Sequence, residues 1–308
     1  MNRNLYPCAV CGNRVGGREH PEHDEATLWL CRFRGVYHHN EEGYILTGVC
    51  FSTEPEEEQF GAPPADNSVW TDEGYGIETE HGIFNIVTSR SKDGWHGFLV
   101  HEACWSLLST YCQPESIPLE RLHEVCSSIH INGTILNWVP PAAEDVIGLE
   151  TAFHNPLRAS EARNLLNQEP ESPRLIADIP NPQKSAGNRL DQLPQELVDM
   201  IAKELPTQDF LNARLATRSF WPMFHSQSFW FSRFIAGGER SWLFEALDAH
   251  ENVDWRSLCR KTNESRLTLG LRNRKRIWGI IAELAPFLLR SSQEPSSQPS
   301  LLEAGGLE

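Results

Sequence analysis

The chain has 308 residues, a formal net charge of −15, 40% hydrophobic residues and a mean hydropathy of −0.43. That length suggests about two domains with real cores, and no stretch reaches the ~20 apolar residues of a membrane helix. Residues 1–140 hold 20 Asp/Glu against 8 Lys/Arg, a balance that repels phosphate backbones and argues against nucleic-acid binding in that region.

Cys8 and Cys11 stand where the apolar core of a signal peptide would have to be, so the chain is expected in the cytoplasm or nucleus. Eight cysteines in a reducing compartment are core thiols or metal ligands more often than disulfides. Leu28–Phe33 and Gly82–Val87 have the aromatic and branched content of strands, and Gly43–Leu46 is a weaker candidate. The acidic stretch Ser52–Asn67 between them reads as a solvated loop. After His101 the period changes: Trp105, Leu107, Leu108 and Tyr111 follow helical spacing, as do Leu119, Leu122 and Val125 with Cys126 beside them. Residues 1–140 thus predict a small α+β domain.

Residues 141–188 form a connector with prolines at 141, 156, 170, 173, 180 and 182, too dense for long helices; a short helix over Ser160–Leu166 is the exception. From Leu190 to about Leu289 the pattern is helical, and residues 291–308 have a disordered composition. The expected fold class is therefore α+β. The small N-terminal α+β domain is followed by a proline-rich connector, an all-α segment at 189–235, a helical extension at 236–290 and a tail.

In the all-α segment, Asp191 and Pro194 read as a helix start. Leu197, Ile201 and Leu205 recur every four residues, with Val198 and Ala202 alongside, as one apolar stripe. Pro206 ends that helix, and Thr207 or Asp209 can cap the next, which carries Phe210, Leu211, Arg214, Leu215 and Arg218. Phe220, Trp221, Phe224, Phe229, Trp230 and Phe234 follow, more large aromatics than a short hairpin needs for its own core, so part of that surface is expected at an interface. Trp242, Leu243, Leu247, Trp255 and Leu258 read as the core of the extension. The run Arg272–Arg276 reads as the exposed start of an amphipathic helix, with a nuclear signal or phosphate patch as the alternative.

Leu193-Pro194-Gln195-Glu196-Leu197, then Ile201, Leu205, Asp209-Phe210-Leu211, Ala216-Thr217-Arg218-Ser219-Phe220 and the closing Trp230 and Phe234 resemble, in order, the F-box. Thr217 stands where that family usually has cysteine. The resemblance implies a helical hairpin docked on a Skp-family adaptor, and through it on cullin and RING subunits of an SCF-type ubiquitin ligase. The chain would be a non-catalytic receptor for a protein substrate. Leu193, Pro194, Leu197, Ile201, Leu205, Leu211 and Leu215 would be the adaptor-binding anchors or the core beneath them.

Cys8-Ala9-Val10-Cys11-Gly12 is a C-x-x-C turn that lets two thiolates reach one Zn²⁺. Its partners are either His101-x-x-Cys104 or His20-x-x-His23. An early C-x-x-C-G, an H-x-x-C-W before a helix and a later F-box resemble the layout of many filamentous-fungal F-box proteins, which implies the set Cys8, Cys11, His101 and Cys104. Zinc with four protein ligands would be structural, having no open position for substrate. The competing readings are a plain core or a redox site. Cys31, Cys50, Cys112, Cys126 and Cys259 read as core thiols. Nothing orients Cys104 and His96 as a nucleophile pair, and no P-loop, G-x-S-x-G or H-E-x-x-H occurs.

Overall fold

The computed structural model describes residues 7–16, 27–41, 43–51, 59–60, 84–85, 95–132, 150–157, 159–167, 189–248, 253–263 and 266–289. The chain divides into two compact units, one of residues 1–23, 28–141 and 279–308, the other of 24–27 and 142–278. The fold is α+β: an antiparallel sheet with flanking helices early in the chain, helices alone later.

The first unit is organised by β1 (Arg32–His39). One edge of β1 pairs with β2 (Gly43–Leu46) and β3 (Cys50–Phe51), which share it end to end. A separate two-stranded ladder joins β4 (Gln59–Phe60) to β5 (Phe84–Asn85). The other edge of β1 pairs along seven positions with β6 (Trp95–His101), from Phe33 opposite His101 to His39 opposite Trp95. Gly35 and Gly97 are required by Tyr37: a Cβ on either would come within 2.1 Å of its ring. Helix α1 (Glu102–Cys112) follows β6 without a break, and α2 (Leu119–Asn132) lies against the sheet. Arg34 on β1 holds the start of α1 through Glu102 and donates to the Thr47 carbonyl at 3.1 Å.

One strand expectation changes. Leu28–Cys31 is a 3-10 turn, and the strand begins at Arg32. Trp29, Leu30 and Cys31 are buried in succession, which a half-buried strand with its period of two does not allow. Of Gly82–Val87, only Phe84–Asn85 lies within the described residues. Most of the acidic loop 52–67 lies outside them.

The second unit opens with α3 (Ala159–Asn167), then α4 (Gln195–Glu204) and α5 (Thr207–Ala216). Short helices α6 (Trp221–His225), α7 (Gln227–Phe231), α8 (Glu245–Asp248) and α9 (Trp255–Lys261) follow, and α10 (Leu269–Leu288) begins in this unit. Pro194 and Pro206 are the N-caps of α4 and α5, in place of the expected Asp191 cap and Asp209 alternative. With no side chain to cap α5 locally, Glu239 does it from a distance. It accepts from the Thr207 amide and hydroxyl and favours the positive helix end. Burial alone would raise the Glu239 carboxyl, but the bonds from Thr207 and the Arg240 charge bring it below its ordinary range. Arg233 acts at the same turn of the hairpin from the α4 side, donating to the carbonyls of Ala202 (2.9 Å) and Lys203 (3.1 Å) at the negative end of α4.

The aromatics turn inward. Phe210, Phe220, Phe224, Phe229, Trp230 and Phe234 are all buried, with the Phe210 ring tilted against that of Phe229 at 4.1 Å and the Trp230 indole donating to the Phe224 carbonyl at 2.9 Å. Trp242, Leu243, Trp255 and Leu258 join the core, but Leu247 is exposed. The basic run lies in the first turns of α10 as expected, with Lys275 exposed and Arg272 and Arg276 half-buried, but it is not exposed throughout. Asn273 and Arg274 are fully buried, Arg274 paired with Glu245 through two 2.7 Å contacts and bonded to the Pro156 carbonyl. Asn273 donates to the carbonyls of Ala152 and His154. An extended targeting signal cannot include those two residues while the unit is folded. Among the described residues no helix is long and apolar enough to cross a membrane.

Candidate metal centre

Cys8 and Cys11 sit on a tight turn. The Gly12 amide donates to the Cys8 carbonyl at 2.9 Å, and the Cys8 amide to the Asn13 carbonyl at 2.8 Å. Gly12 adopts φ 76°, a conformation open to glycine at no steric cost. The Ala9 amide donates to the Leu99 carbonyl of β6 at 2.8 Å, pinning the turn to the sheet. His101 is the last residue of β6 and the N-cap of α1, and Cys104 lies in the first turn of that helix. Strand, helix start and N-terminal turn thus deliver four donors to one point.

The three Sγ atoms and the His101 ring nitrogen lie within 4.8 Å of one another, and all four residues are buried. Cys11 Sγ is 3.4 Å from His101 Nδ1. Tetrahedral coordination at ordinary metal–sulfur and metal–nitrogen lengths puts such donors about 3.6–3.8 Å apart, so the set needs to close by only about 1 Å at its widest. His101 Nε2 is 3.2 Å from the Arg14 carbonyl. That partner takes the Nε2 proton and leaves Nδ1 as the lone-pair donor toward the sulfurs, the second contact a ligating imidazole needs for its orientation. The Trp29 ring, 4.8 Å from that of His101, packs beside it.

The electrostatics point the same way. Burial opposes ionisation of Cys8, yet hydrogen bonds from Cys104 and Cys11 and the His101 charge hold it well below the usual thiol range. Burial alone would lower His101, but the charges of Cys8 and Cys11 raise it to about 10. Cys104 is pushed the other way, well up, by burial and by its Cys11 and Cys8 neighbours, so the cluster favours a thiolate at Cys8 beside a charged His101 and opposes one at Cys104. The cluster could hold a divalent ion, which would favour the thiolate form of its ligands. Cys126, on α2, is not a member. Burial and the Cys8 charge push its thiol up to about 12, so it stays protonated beside the site.

The structure therefore brings together Cys8, Cys11, His101 and Cys104. His20 and His23, the alternative pair, lie outside the described residues. All eight cysteines are buried, and none is in a disulfide. Cys104 has no exposure, and His96 is hydrogen-bonded to His123 at 2.9 Å.

The seven hairpin positions fall in no part of the core. Pro194, Leu197, Ile201 and Leu215 are exposed, and Leu193, Leu205 and Leu211 half-buried. Beneath them Val198, Ala202 and Phe210 are buried. Met200, 63% exposed and one turn from Leu197, extends the aliphatic face of α4 and was not anticipated from the fourfold spacing. Helical positions i, i+3 and i+4 share a face, and that rule finds it. No protein-family model, no curated protein and no solved structure matches the chain.

Proposed function

We propose that this chain is a non-catalytic F-box subunit, docking through the α4–α5 hairpin on a Skp-family adaptor and so on the cullin and RING subunits of a ubiquitin ligase. The supporting observation is the exposure of its aliphatic side chains: Leu197 44%, Met200 63%, Ile201 37% and Leu215 59%. The hairpin does not need them for its own core, which Val198, Ala202 and the buried phenylalanines fill. Large aliphatic side chains left exposed on a helical hairpin are the surface a partner removes from water. On this reading the first unit is a receptor module for a protein substrate, and the ion in its Cys8/Cys11/His101/Cys104 set is zinc. Three thiolates and one imidazole in a tetrahedron suit zinc among biological divalent ions, and four protein ligands leave it no position for substrate.

Co-purification with the adaptor tests the docking. Leu197→Asp/Ile201→Asp changes two exposed side chains, so it should leave the unfolding temperature almost unchanged, within ~0.5 kcal/mol of stability. It should also abolish adaptor capture. A wild-type chain that captures no adaptor at micromolar concentration removes the ligase reading and leaves a metal-stabilised interaction scaffold.

A further inference from the structure

A second feature of the helical unit lies away from the aliphatic face of α4. Three arginines are buried among the described residues: Arg214, Arg233 and Arg274. Arg274 has the Glu245 carboxylate, and Arg233 has two helix-terminal carbonyls. Arg214, 9% exposed on α5, has neither. Its guanidinium carbon lies 3.7 Å from the centre of the Phe224 ring and 5.6 Å from that of Trp221. Its Nε finds no acceptor, and the Trp221 indole Nε1, equally closed off from water, finds none.

The charges around it deepen the deficit. Arg256, on α9, reaches the same Phe224 ring at 5.0 Å. Burial lowers the Arg214 pKa, and the two charges that act on it, Arg256 and Arg260, are both positive and lower it further. His225 stacks on Trp221 at 5.8 Å and meets the Phe224 ring edge-on at 5.2 Å. Cation–π contact returns about 0.5–2 kcal/mol to a guanidinium. It does not satisfy an N–H, and each buried donor left without an acceptor costs about 1–3 kcal/mol. Stacking alone is therefore an incomplete account of this arrangement.

We propose that the cluster binds an oxyanion of the phosphoryl class, with Arg214 and the Trp221 indole as donors and Arg256 and Arg260 as flanking charges. Three positive side chains call for more than one negative charge, which a phosphoryl dianion carries and a carboxylate does not. The donors come from α5, α6 and α9, and tetrahedral oxygens accept from several directions where a carboxylate accepts in one plane. The site does not depend on the adaptor-docking reading, since none of its residues belongs to that aliphatic set.

Calorimetric titration of the full chain with inorganic phosphate, at constant ionic strength held with chloride, tests it. The expected result is saturable one-site binding. Arg260→Gln removes an exposed charge and Trp221→Phe removes only the indole N–H. Each should weaken binding at least threefold, and Arg260→Gln should leave the unfolding temperature in phosphate-free buffer unchanged. Competition by a phosphoserine peptide below the concentration at which free phosphate binds assigns the site to a modified protein, and binding of free phosphate alone assigns it to the ion. Absence of saturable phosphate binding by the wild type overturns the proposal, as does equal affinity in both variants, and Arg214 is then only a cover on the aromatic core.

Discussion

In the first unit the apolar side chains with no exposure are aliphatic, among them Val10, Val15, Val100, Leu107, Leu108 and Leu122. In the second unit they include the rings of Phe210, Phe229 and Phe234, with Trp230 and Trp242 nearly as deep. A large buried aromatic ring removes far more apolar surface from water than a valine does. The second unit can close on such rings, while the first joins its N-terminal turn to β6 and α1 by short polar and sulfur contacts. Small cores of that kind are commonly completed by a cross-link or a metal. The two regions should therefore fail under different insults.

Metal removal should have the largest effect. Structural zinc contributes on the order of 10–16 kcal/mol in small zinc-dependent folds. Chelation, or Cys11→Ser, should abolish hydrogen-exchange protection over residues 95–112 and leave that over 210–234 intact. Elemental analysis of the untreated chain should find one zinc per chain. Protection unchanged by chelation in a zinc-loaded chain would mean that the first unit stands on its apolar contacts alone.

The reverse insult is Phe210→Ala. Phe210 has no exposure and meets Phe229 at 4.1 Å and Phe220 and Trp230 at 6.0 Å each. Truncating so buried an aromatic costs about 3–5 kcal/mol. Denaturant unfolding followed by exchange over 210–234 should show that loss, with zinc content unchanged.

Much of this contrast is legible in the sequence, and the exceptions have physical causes. The C-x-x-C-G and H-x-x-C spacings each place two donors on one turn, but spacing leaves His20 and His23 open as partners, and it is the family resemblance that implies the pair about ninety residues away. The strand that carries His101 was not read. Residues 95–101 hold only Phe98-Leu99-Val100 as an apolar run, broken from the N-terminal side by His96 and Gly97, and they become a strand because β1 offers seven partners. Arg274 looks like surface in any periodicity argument, and only Glu245 and the Pro156 carbonyl make its burial tolerable. The aromatic surplus after Phe220 suggested an interface, but α6 to α9 bury it, and the exposed apolar side chains are aliphatic.

Gly97→Ala tests the sheet of the first unit at smaller scale. The added Cβ would meet the buried Tyr37 ring at 2.1 Å, and overpacking of this kind costs about 1–3 kcal/mol. Tyr37→Leu should remove most of that penalty, so the double variant should be more stable than the sum of the two single changes. Additive losses would show that the ring is not what fixes glycine there.

The smallest expected effect concerns the contact between α2 and the sheet. His96 Nδ1 on β6 lies 2.9 Å from His123 Nε2 on α2, with His38 of β1 and Tyr44 of β2 against the same His123 ring. Two imidazoles at that distance share one proton, and both cannot be charged cheaply. Burial lowers the pKa of His96, and the His38 charge lowers it further. Burial, His96 and His38 lower that of His123, and the pull of Glu124 in the opposite direction does not reverse this. Glu120 and Glu124 are the carboxylates of α2 acting on Tyr44 nearby. With folded-state values below the ordinary 6.5, the unfolded chain takes up protons first as pH falls. Stability is then full above about pH 7 and declines below about pH 6.5, by at most ~1.4 kcal/mol per pH unit for each group. Ligand thiolates also take up protons on acidification. The measurement is therefore the difference between wild type and His123→Gln, both zinc-saturated, in exchange protection of residues 119–128 from pH 7.5 to 5.5. Wild-type protection should fall more steeply than that of the variant. Parallel curves would mean that the pair does not sense pH and that α2 is held by Leu122 and Cys126 against the sheet.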